Sequence, residues 1–285
     1  MDEKIITKAA FLLLMAVNTC WARGCTGGLA ASGPKEVDAN SVEAILKQLK
    51  QKTAELKSYQ SQIEYNFRQP LLESETERRG VLYYKKEADR SRLRINFQTL
   101  KQDDEEEQKY VEHYIFDGVW LTHIDYHIKQ VKRYQQAEPN EPADAFELAS
   151  RNFPIIGFTK VEDLKKQFEI KLVEQQVKEP QPVIPAKAGI HEFVQLHLKV
   201  RPDSIYKDDY TSIEFWLDRR TGLPARIVAV STEEDVYEIK FLKPKVNESI
   251  DEKVFKVKIP KGFGKPEIIP LEKTMKKHRE NLKGR

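Results

Sequence analysis

Apolar and polar residues alternate along most of the chain, which is the pattern of antiparallel strands that turn one face toward a core. The runs "RLRINFQ" and "FVQLHLKV" show this pattern, as does an earlier stretch that begins at Tyr59. In that stretch five residues share one face: Tyr59, Ser61, Ile63, Tyr65 and Phe67. Similar runs continue to "DVYEIKFL", so the pattern predicts about ten to eleven strands, most of them antiparallel neighbours.

Turn signals separate the predicted strands. Asp117-Gly118 lies between two apolar runs, and this pair is a strong signal for a hairpin. In "DRRTG", Gly222 supplies the positive φ of a second turn, and Pro224 limits ladder bonding just after it. We expect "FKVKIPKGF" to form a short edge strand near the end of the sheet.

Three segments have helical spacing instead. Ser41 is suited to cap a helix that runs to about Lys57, while residues 142–152 and "KVEDLKKQF" predict two shorter helices within the meander. About ten antiparallel strands must curl, because open twisted sheets of that width rarely stay flat. The helices would lie against the apolar concave face, either as a permanent core or as a cover over a pocket for an apolar ligand. The predicted fold class is therefore α+β.

Residues 1–31 predict a secretory signal peptide. Lys4 and Lys8 precede an apolar run at residues 9–17, which is shorter than the ~20 residues that cross a bilayer. Both cysteines lie in this leader, and lipidation at Cys25, or alternatively at Cys20, would anchor the chain as a lipoprotein. We expect an exported, periplasmic protein.

The rest of the chain is predicted to form one domain. This domain covers residues 43–265, after a polar linker at residues 32–42 and before a basic tail at residues 266–285. Residues 178–191 carry three prolines without any periodicity, and we predict a surface insertion between two strands. A proline-rich binding motif is the alternative for this insertion.

Composition and motifs argue against several functions. Charged residues make up 33% of the chain, yet the net charge is only +3, which gives no general reason to expect nucleic-acid binding. The chain has no nucleophile elbow, no zinc-protease motif, no phosphate-binding loop and no C-x-x-C pair. We predict no enzyme and no cofactor, and an enzyme acting on lipids or glycans is the alternative.

A metal site is a further alternative. In an unbent strand, His123, Asp125 and His127 would share one face, as ligands of one ion would have to do. The opposite face, from Trp120 to Tyr126, is more apolar. We therefore expect the histidines to face solvent, and no metal is predicted.

Three motifs carry a resemblance to a known family: "YIFDGVWL", "FWLDRRTGLPARI" and "IDEKVFKVKIPKGF". With the order of elements over about residues 40–265, they resemble the LolA-like outer-membrane lipoprotein carrier superfamily, which includes LolA, LolB and RseB-type half-barrels. The resemblance implies an incomplete antiparallel β-barrel, a curled sheet with an N-terminal helix and a helical lid over a hydrophobic cavity. It also implies a monomeric periplasmic carrier that passes lipoprotein acyl chains, or another lipid, from an inner-membrane transporter to an outer-membrane acceptor.

The resemblance and the inward strand faces together give candidate site residues. The lipid-binding cavity would be lined by ten residues: Tyr65, Phe67, Leu82, Tyr84, Leu93, Ile95, Phe97, Trp120, Phe215 and Leu217. The lid would contain six: Phe146, Leu148, Phe153, Ile155, Ile156 and Phe158. In the family a functional arginine follows the second strand, where this chain has Lys86, with Arg90 and Arg92 nearby as candidate lid latches.

The alternative function is a sensory or structural module of the RseB type. RseB shares the "WLD..TGLP" element, and in this alternative the half-barrel has a filled core without lipid transport. The module would bind a protein or lipoprotein partner through a sheet edge.

Overall fold

The computed structural model describes residues 41–88, 90–145, 161–173 and 193–271. Over these ranges the chain forms helices α1 (Val42–Ala54) and α2 (Val161–Gln167) and twelve strands. The strands are β1 (Ser58–Gln69), β2 (Ser74–Lys86), β3 (Ser91–Gln102), β4 (Gln108–Phe116), β5 (Trp120–Asp125), β6 (Gln130–Gln135), β7 (Phe168–Val173), β8 (Phe193–Val200), β9 (Tyr210–Asp218), β10 (Leu223–Ser231), β11 (Val236–Val246) and β12 (Glu267–Ile269). The predicted signal peptide, the six lid residues and the insertion at residues 178–191 lie outside the described residues.

The described strands form one sheet in the order β12-β6-β5-β4-β3-β2-β1-β11-β10-β9-β8-β7. Neighbours are antiparallel except β12 and β6, which run parallel. Two meanders, β1–β6 and β7–β11, are joined where β1 pairs with β11. Because β12 and β7 remain as separate edges, the sheet curls without closing, and the prediction of an open, curled sheet is confirmed.

The sheet has one strand more than the upper end of the prediction, and its last strand is not where we expected it. "FKVKIPKGF" was predicted as an edge strand, which is wrong, because residues 256–263 pair with no strand. Instead this segment runs over the convex face, where the ring of Phe263 lies 5.3 Å from that of Tyr126. The added strand is β12, which falls within the predicted tail and pairs with β6.

Helix α1 begins as its sequence predicts. The Ser41 hydroxyl accepts a hydrogen bond from the Ala44 N–H at 3.2 Å, and Ile45, Leu46 and Leu49 are buried. The helix ends at Ala54, earlier than predicted, because the chain then turns into β1. Among the described residues, neither helix has the length and apolar character that crossing a membrane would require.

Aspartates and glycines form the two predicted turns. Gly118 has a φ of 102°, and the Asp117 carboxylate accepts from the N–H groups of Val119 and Trp120 at 3.0 and 2.8 Å. The turn after β9 repeats this chemistry, with Gly222 at a φ of 68° and the Asp218 carboxylate accepting from two following N–H groups. Both predicted turns are confirmed, although only the glycine of the Asp117-Gly118 pair has a positive φ.

Apolar residues pack on both faces of the sheet. The main cluster lies on the concave face and joins α1 and α2 to strands of both meanders. A smaller cluster on the convex face contains Ile115, Ile124 and Val131, with Tyr126 and Phe263 packed against it. The β4–β6 region is therefore buried on both sides.

Candidate functional site

The concave face of the sheet is the candidate site. Eight of the ten predicted cavity residues are buried in the main cluster: Tyr65, Phe67, Tyr84, Leu93, Ile95, Phe97, Phe215 and Leu217. Leu82 is half-buried and packs against them. The alternation of the sequence thus brings residues from strands that are distant in the chain onto one apolar surface.

Aromatic rings cross this surface from strand to strand. The ring centroids of Tyr65 in β1 and Phe97 in β3 are 6.4 Å apart, and Phe97 meets Tyr114 in β4 edge-on at 6.2 Å. Tyr114 in turn stacks on His123 in β5 at 4.4 Å. The concave face therefore carries a continuous row of rings, a type of contact that stabilises beyond area burial.

Trp120 does not belong to this surface, so its prediction as a cavity residue is wrong. Its neighbour Leu121 joins the concave cluster, whereas Trp120 lies on the convex face with the Arg133 guanidinium 4.8 Å from its ring centroid. Because most of β5 is buried on both faces, apolar character alone could not show which face is concave.

The described helices cover mainly one end of the concave face. Helix α1 contacts β7 and β10, and α2 contacts β7. At the other end, the chain that leads to the predicted lid is fixed to the sheet: the Ala143 N–H donates to the Gly118 carbonyl at 2.8 Å, and the Ala145 N–H donates to the Ser91 hydroxyl. Ala145 is buried in the main cluster.

The three candidate latch residues have different surroundings. Arg92 forms ion pairs with Glu87 at 2.8 Å and with Glu252 at 3.0 Å. Arg90 lies 4.0 Å from Glu87, and Lys86 is exposed at the end of β2. Because the lid residues lie outside the described part of the chain, the latch stays a prediction.

The concave face also holds a buried polar cluster that the sequence analysis missed. Arg78 in β2 forms an ion pair with Glu112 in β4, and the Arg78 guanidinium lies 5.4 Å from the Tyr110 ring centroid. His123 and Asp125 in β5 complete the cluster, and Asp125 is directly opposite Glu112 in the register. The expectation that His123 faces solvent is therefore wrong, whereas His127 is exposed as expected.

A signal for this cluster was present in the sequence. Glu112 alternates in step with Tyr114 and Phe116, and Arg78 alternates in step with Leu82 and Tyr84. Charged residues in step with a buried apolar face indicate a buried pair, because an isolated charge would be too costly there.

Burial and neighbouring charges act in opposite directions on these groups. Burial alone would raise the pKa of Glu112, but His123 and the Arg78 guanidinium outweigh it, and the pKa of this carboxyl lies below its ordinary value. Burial raises the pKa of the Tyr65 hydroxyl far above its usual range. At neutral pH Glu112 is therefore ionised and Tyr65 protonated.

A pocket of about 320 Å³ lies on the convex face. Its lining residues are Tyr83, Arg94, Asn96, Tyr126, Lys253, Val254, Lys256 and Lys258. Arg94 fixes the 253–258 segment by donating to the Val254 carbonyl at 2.7 Å. Burial and the Arg94 charge lower the pKa of His113 to about 4, so its neutral ring can accept a hydrogen bond from Arg94 at 3.1 Å.

The molecule is thus an open, curled antiparallel sheet with an apolar concave face. No protein-family model and no curated protein matches the chain. Solved structures do match. An uncharacterized conserved protein from Thermus thermophilus has 12% identity and a TM-score of 0.43, and the alignment covers 80% of this chain and 98% of that one.

Two further matches carry the name of a protein or of a superfamily. MucB in the Pseudomonas aeruginosa MucA/MucB complex has 16% identity and a TM-score of 0.41, over 75% of this chain and 60% of that one. A LolA superfamily protein from Nitrosomonas europaea has 11% identity and a TM-score of 0.29, over 75% and 97%. The superfamily that the sequence motifs indicated is therefore among the structural matches. At these identities and TM-scores the likeness assigns no function, which must come from the chain's own residues.

Proposed function

We propose that this chain binds the acyl chains of lipoproteins, or another lipid, on its concave face and carries them through the periplasm. One observation supports the proposal above all. The concave face bears one apolar cluster that extends through both meanders, while the described helices contact mainly β7 and β10 at one end. The chain toward the predicted lid is anchored on the other meander, at Ser91 and Gly118, at the strand ends next to Leu93.

The energetics of such a surface suit an acyl ligand. Each methylene removed from water contributes ~0.8 kcal/mol, so a chain of a dozen methylenes could gain roughly 10 kcal/mol. Aromatic side chains such as those of Phe97 and Phe215 can contact an acyl chain, which has no hydrogen-bonding groups. Release then requires an acceptor that offers an apolar site of its own, and this suits transfer from an inner-membrane transporter to an outer-membrane acceptor.

The predicted lid would control access in this proposal. Ala143 and Ala145 fix its entry to the β4–β5 turn and to the start of β3. Arg90 and Arg92 lie at that same start of β3, where they could hold or release the lid. The carrier would work without a cofactor or a catalytic group.

Native mass spectrometry tests whether a lipid is bound. The full chain is expressed with its leader, isolated from bacterial periplasm without detergent and measured intact. We expect an added mass that matches a phospholipid, a fatty acid or an acylated peptide. A clean mass of the protein alone, together with no binding of an added dansyl-labelled undecanoic acid, would overturn the carrier proposal and favour the protein-partner alternative.

Adjacent residues of β2 test the assigned face. Leu82 packs on the concave cluster, whereas Val81 is equally half-buried but alternates to the convex face. We expect Leu82→Glu to weaken binding of the dansyl probe about tenfold or more, since a charge would sit beside the acyl chain. The control Val81→Glu should bind as the unmodified chain does. Equal affinities for the two variants, both folded by circular dichroism, would contradict the concave site.

A further inference from the structure

Three potential metal ligands meet in the buried polar cluster of the concave face. Glu112 comes from β4, and His123 and Asp125 come from β5. One ligand atom of each lies within 4.8 Å of the others. Their residues are 0%, 8% and 2% exposed, so the cluster is closed off from bulk water.

Two of these ligand atoms have no hydrogen-bond partner among the described residues. They are Glu112 Oε1 and His123 Nε2, and they face each other across 3.7 Å. That separation is too long for a hydrogen bond. A buried polar atom without a partner destabilises the fold, so a group that binds both atoms would be favoured between them.

The surrounding contacts leave Glu112 Oε1 and His123 Nε2 able to bind an ion. Arg78 binds the other carboxylate oxygen, Oε2, and so fixes Glu112 with Oε1 toward His123. His123 is held by stacking on Tyr114, with interplanar angle 4°. The positions of both side chains are therefore set by groups that do not use the two atoms.

Asp125 can supply a third ligand. Its Oδ1 accepts from the N–H groups of His127 and Ile128 at 2.8 and 3.1 Å, which orients the carboxylate. Its Oδ2 accepts one long hydrogen bond, 3.5 Å from the Tyr110 hydroxyl, and a carboxylate oxygen has a second lone pair. This second oxygen therefore remains available.

Charge favours a cation at this position. Glu112 and Asp125 bring two buried carboxylates together, and the Arg78 guanidinium pairs with Glu112. We propose that Glu112, His123 and Asp125 bind a divalent transition-metal cation, with zinc as the expected ion. Zinc takes imidazole nitrogen and carboxylate oxygen ligands at about 2.1 Å, so two ligands in a tetrahedral site lie roughly 3.4 Å apart. The 3.7 Å between Glu112 Oε1 and His123 Nε2 is close to that spacing.

A bridging water could occupy the same gap, and a metal-binding measurement distinguishes water from an ion. The untagged full chain is stripped with chelator, given one equivalent of zinc sulfate and desalted. Its zinc content is measured by elemental mass spectrometry. We expect one zinc per chain and a raised unfolding temperature, because an ion that binds only the folded state stabilises it.

Variants identify the ligands. We expect His123→Gln and Asp125→Asn each to weaken zinc binding by at least about tenfold, since even disturbing a hydrogen-bond partner of a ligand costs that much. Asparagine keeps the oxygen that accepts from the turn. The control is His127→Gln, an exposed residue two positions from Asp125 that is not among the three ligands.

Several outcomes would overturn the proposal. The proposal fails if the stripped, zinc-treated chain retains no zinc after desalting. It also fails if His127→Gln weakens zinc binding as much as His123→Gln does. Cobalt(II) titration of the unmodified chain is a second test, and it does not depend on whether any variant folds. Without the visible absorption bands of a tetrahedral cobalt site, the zinc proposal fails. The proposal rests on these side chains alone, so lipid binding can stand or fall separately.

Discussion

Arg78 and Arg79 are neighbours in β2 with opposite surroundings. Arg78 is 7% exposed and pairs with the fully buried Glu112 on the concave face. The Arg79 side chain is 50% exposed and pairs with Glu77 and Glu107 on the outside. Because removing one partner of a buried pair leaves an uncompensated charge, we expect Arg78→Leu to lower the free energy of unfolding by about 3–5 kcal/mol.

Arg79→Leu is the matched control for this prediction. It breaks only solvent-screened pairs, so we expect a loss below about 1 kcal/mol. Urea unfolding of chelator-treated protein measures both variants. The double variant Arg78→Leu/Glu112→Leu should recover much of the single variant's loss, because no charge is then left unpaired. Similar losses for Arg78→Leu and Arg79→Leu would show that the concave pair is not sealed from water.

Single residues show where sequence reasoning succeeds. Tyr65, Phe97 and Phe215 were assigned to the correct face because their strands have polar residues on the other side. Trp120 was assigned to the wrong face, since β5 is buried on both sides and alternation there carries no direction. His123 was misjudged for the same reason, and the Glu112 carboxylate that it faces lies on another strand, in a register that sequence alone does not give.

At the scale of elements, the contact between β2 and β3 depends on Gly80. The register shifts between Arg79 and Gly80, and a Cβ added at Gly80 would meet the Asn96 carbonyl and come within 2.9 Å of the Phe97 Cα. Backbone cannot yield as a flexible side chain does, so we expect Gly80→Ala to destabilise by about 1–3 kcal/mol. Thermal unfolding followed by circular dichroism measures this loss.

Gly264 provides the control for the glycine prediction. A Cβ added at Gly264 would meet nothing within 4 Å, and its φ is not in the left-handed region. We expect Gly264→Ala to leave the unfolding temperature nearly unchanged. If Gly80→Ala were equally neutral, the two strands would not approach as closely as described.

Elements with strong local signals were predicted well, and those set by distant contacts were not. Ser41 capping and the two glycine turns are local chemistry. In contrast, "FKVKIPKGF" alternates as a strand does but pairs with none, because the convex cluster around Tyr126 takes up Phe263 instead. The three residues of β12 carry too little pattern to be distinguished from a loop, and β6 provides their partner.

At the scale of the whole molecule, one ladder joins the two meanders. β1 pairs with β11 at positions from Tyr59–Val246 to Arg68–Val236, and the main cluster contains residues of both halves. Neither half buries its concave face alone. We therefore expect the sheet to unfold as one cooperative unit although its halves are far apart in sequence.

The two described tryptophans report on the two halves separately. Trp120 lies in β5 and Trp216 in β9. Trp21 is first replaced by Phe. In that background, Trp216→Phe leaves Trp120 as the reporter, and Trp120→Phe leaves Trp216. We expect the same urea midpoint from both fluorescence signals. Ile239→Ala, at the position opposite Tyr65 in the joining ladder, should lower both midpoints together, because removing a buried isoleucine side chain costs about 2–5 kcal/mol. If the two reporters gave different midpoints, or if Ile239→Ala moved only the Trp216 signal, the halves would fold independently and the concave face would be two surfaces rather than one.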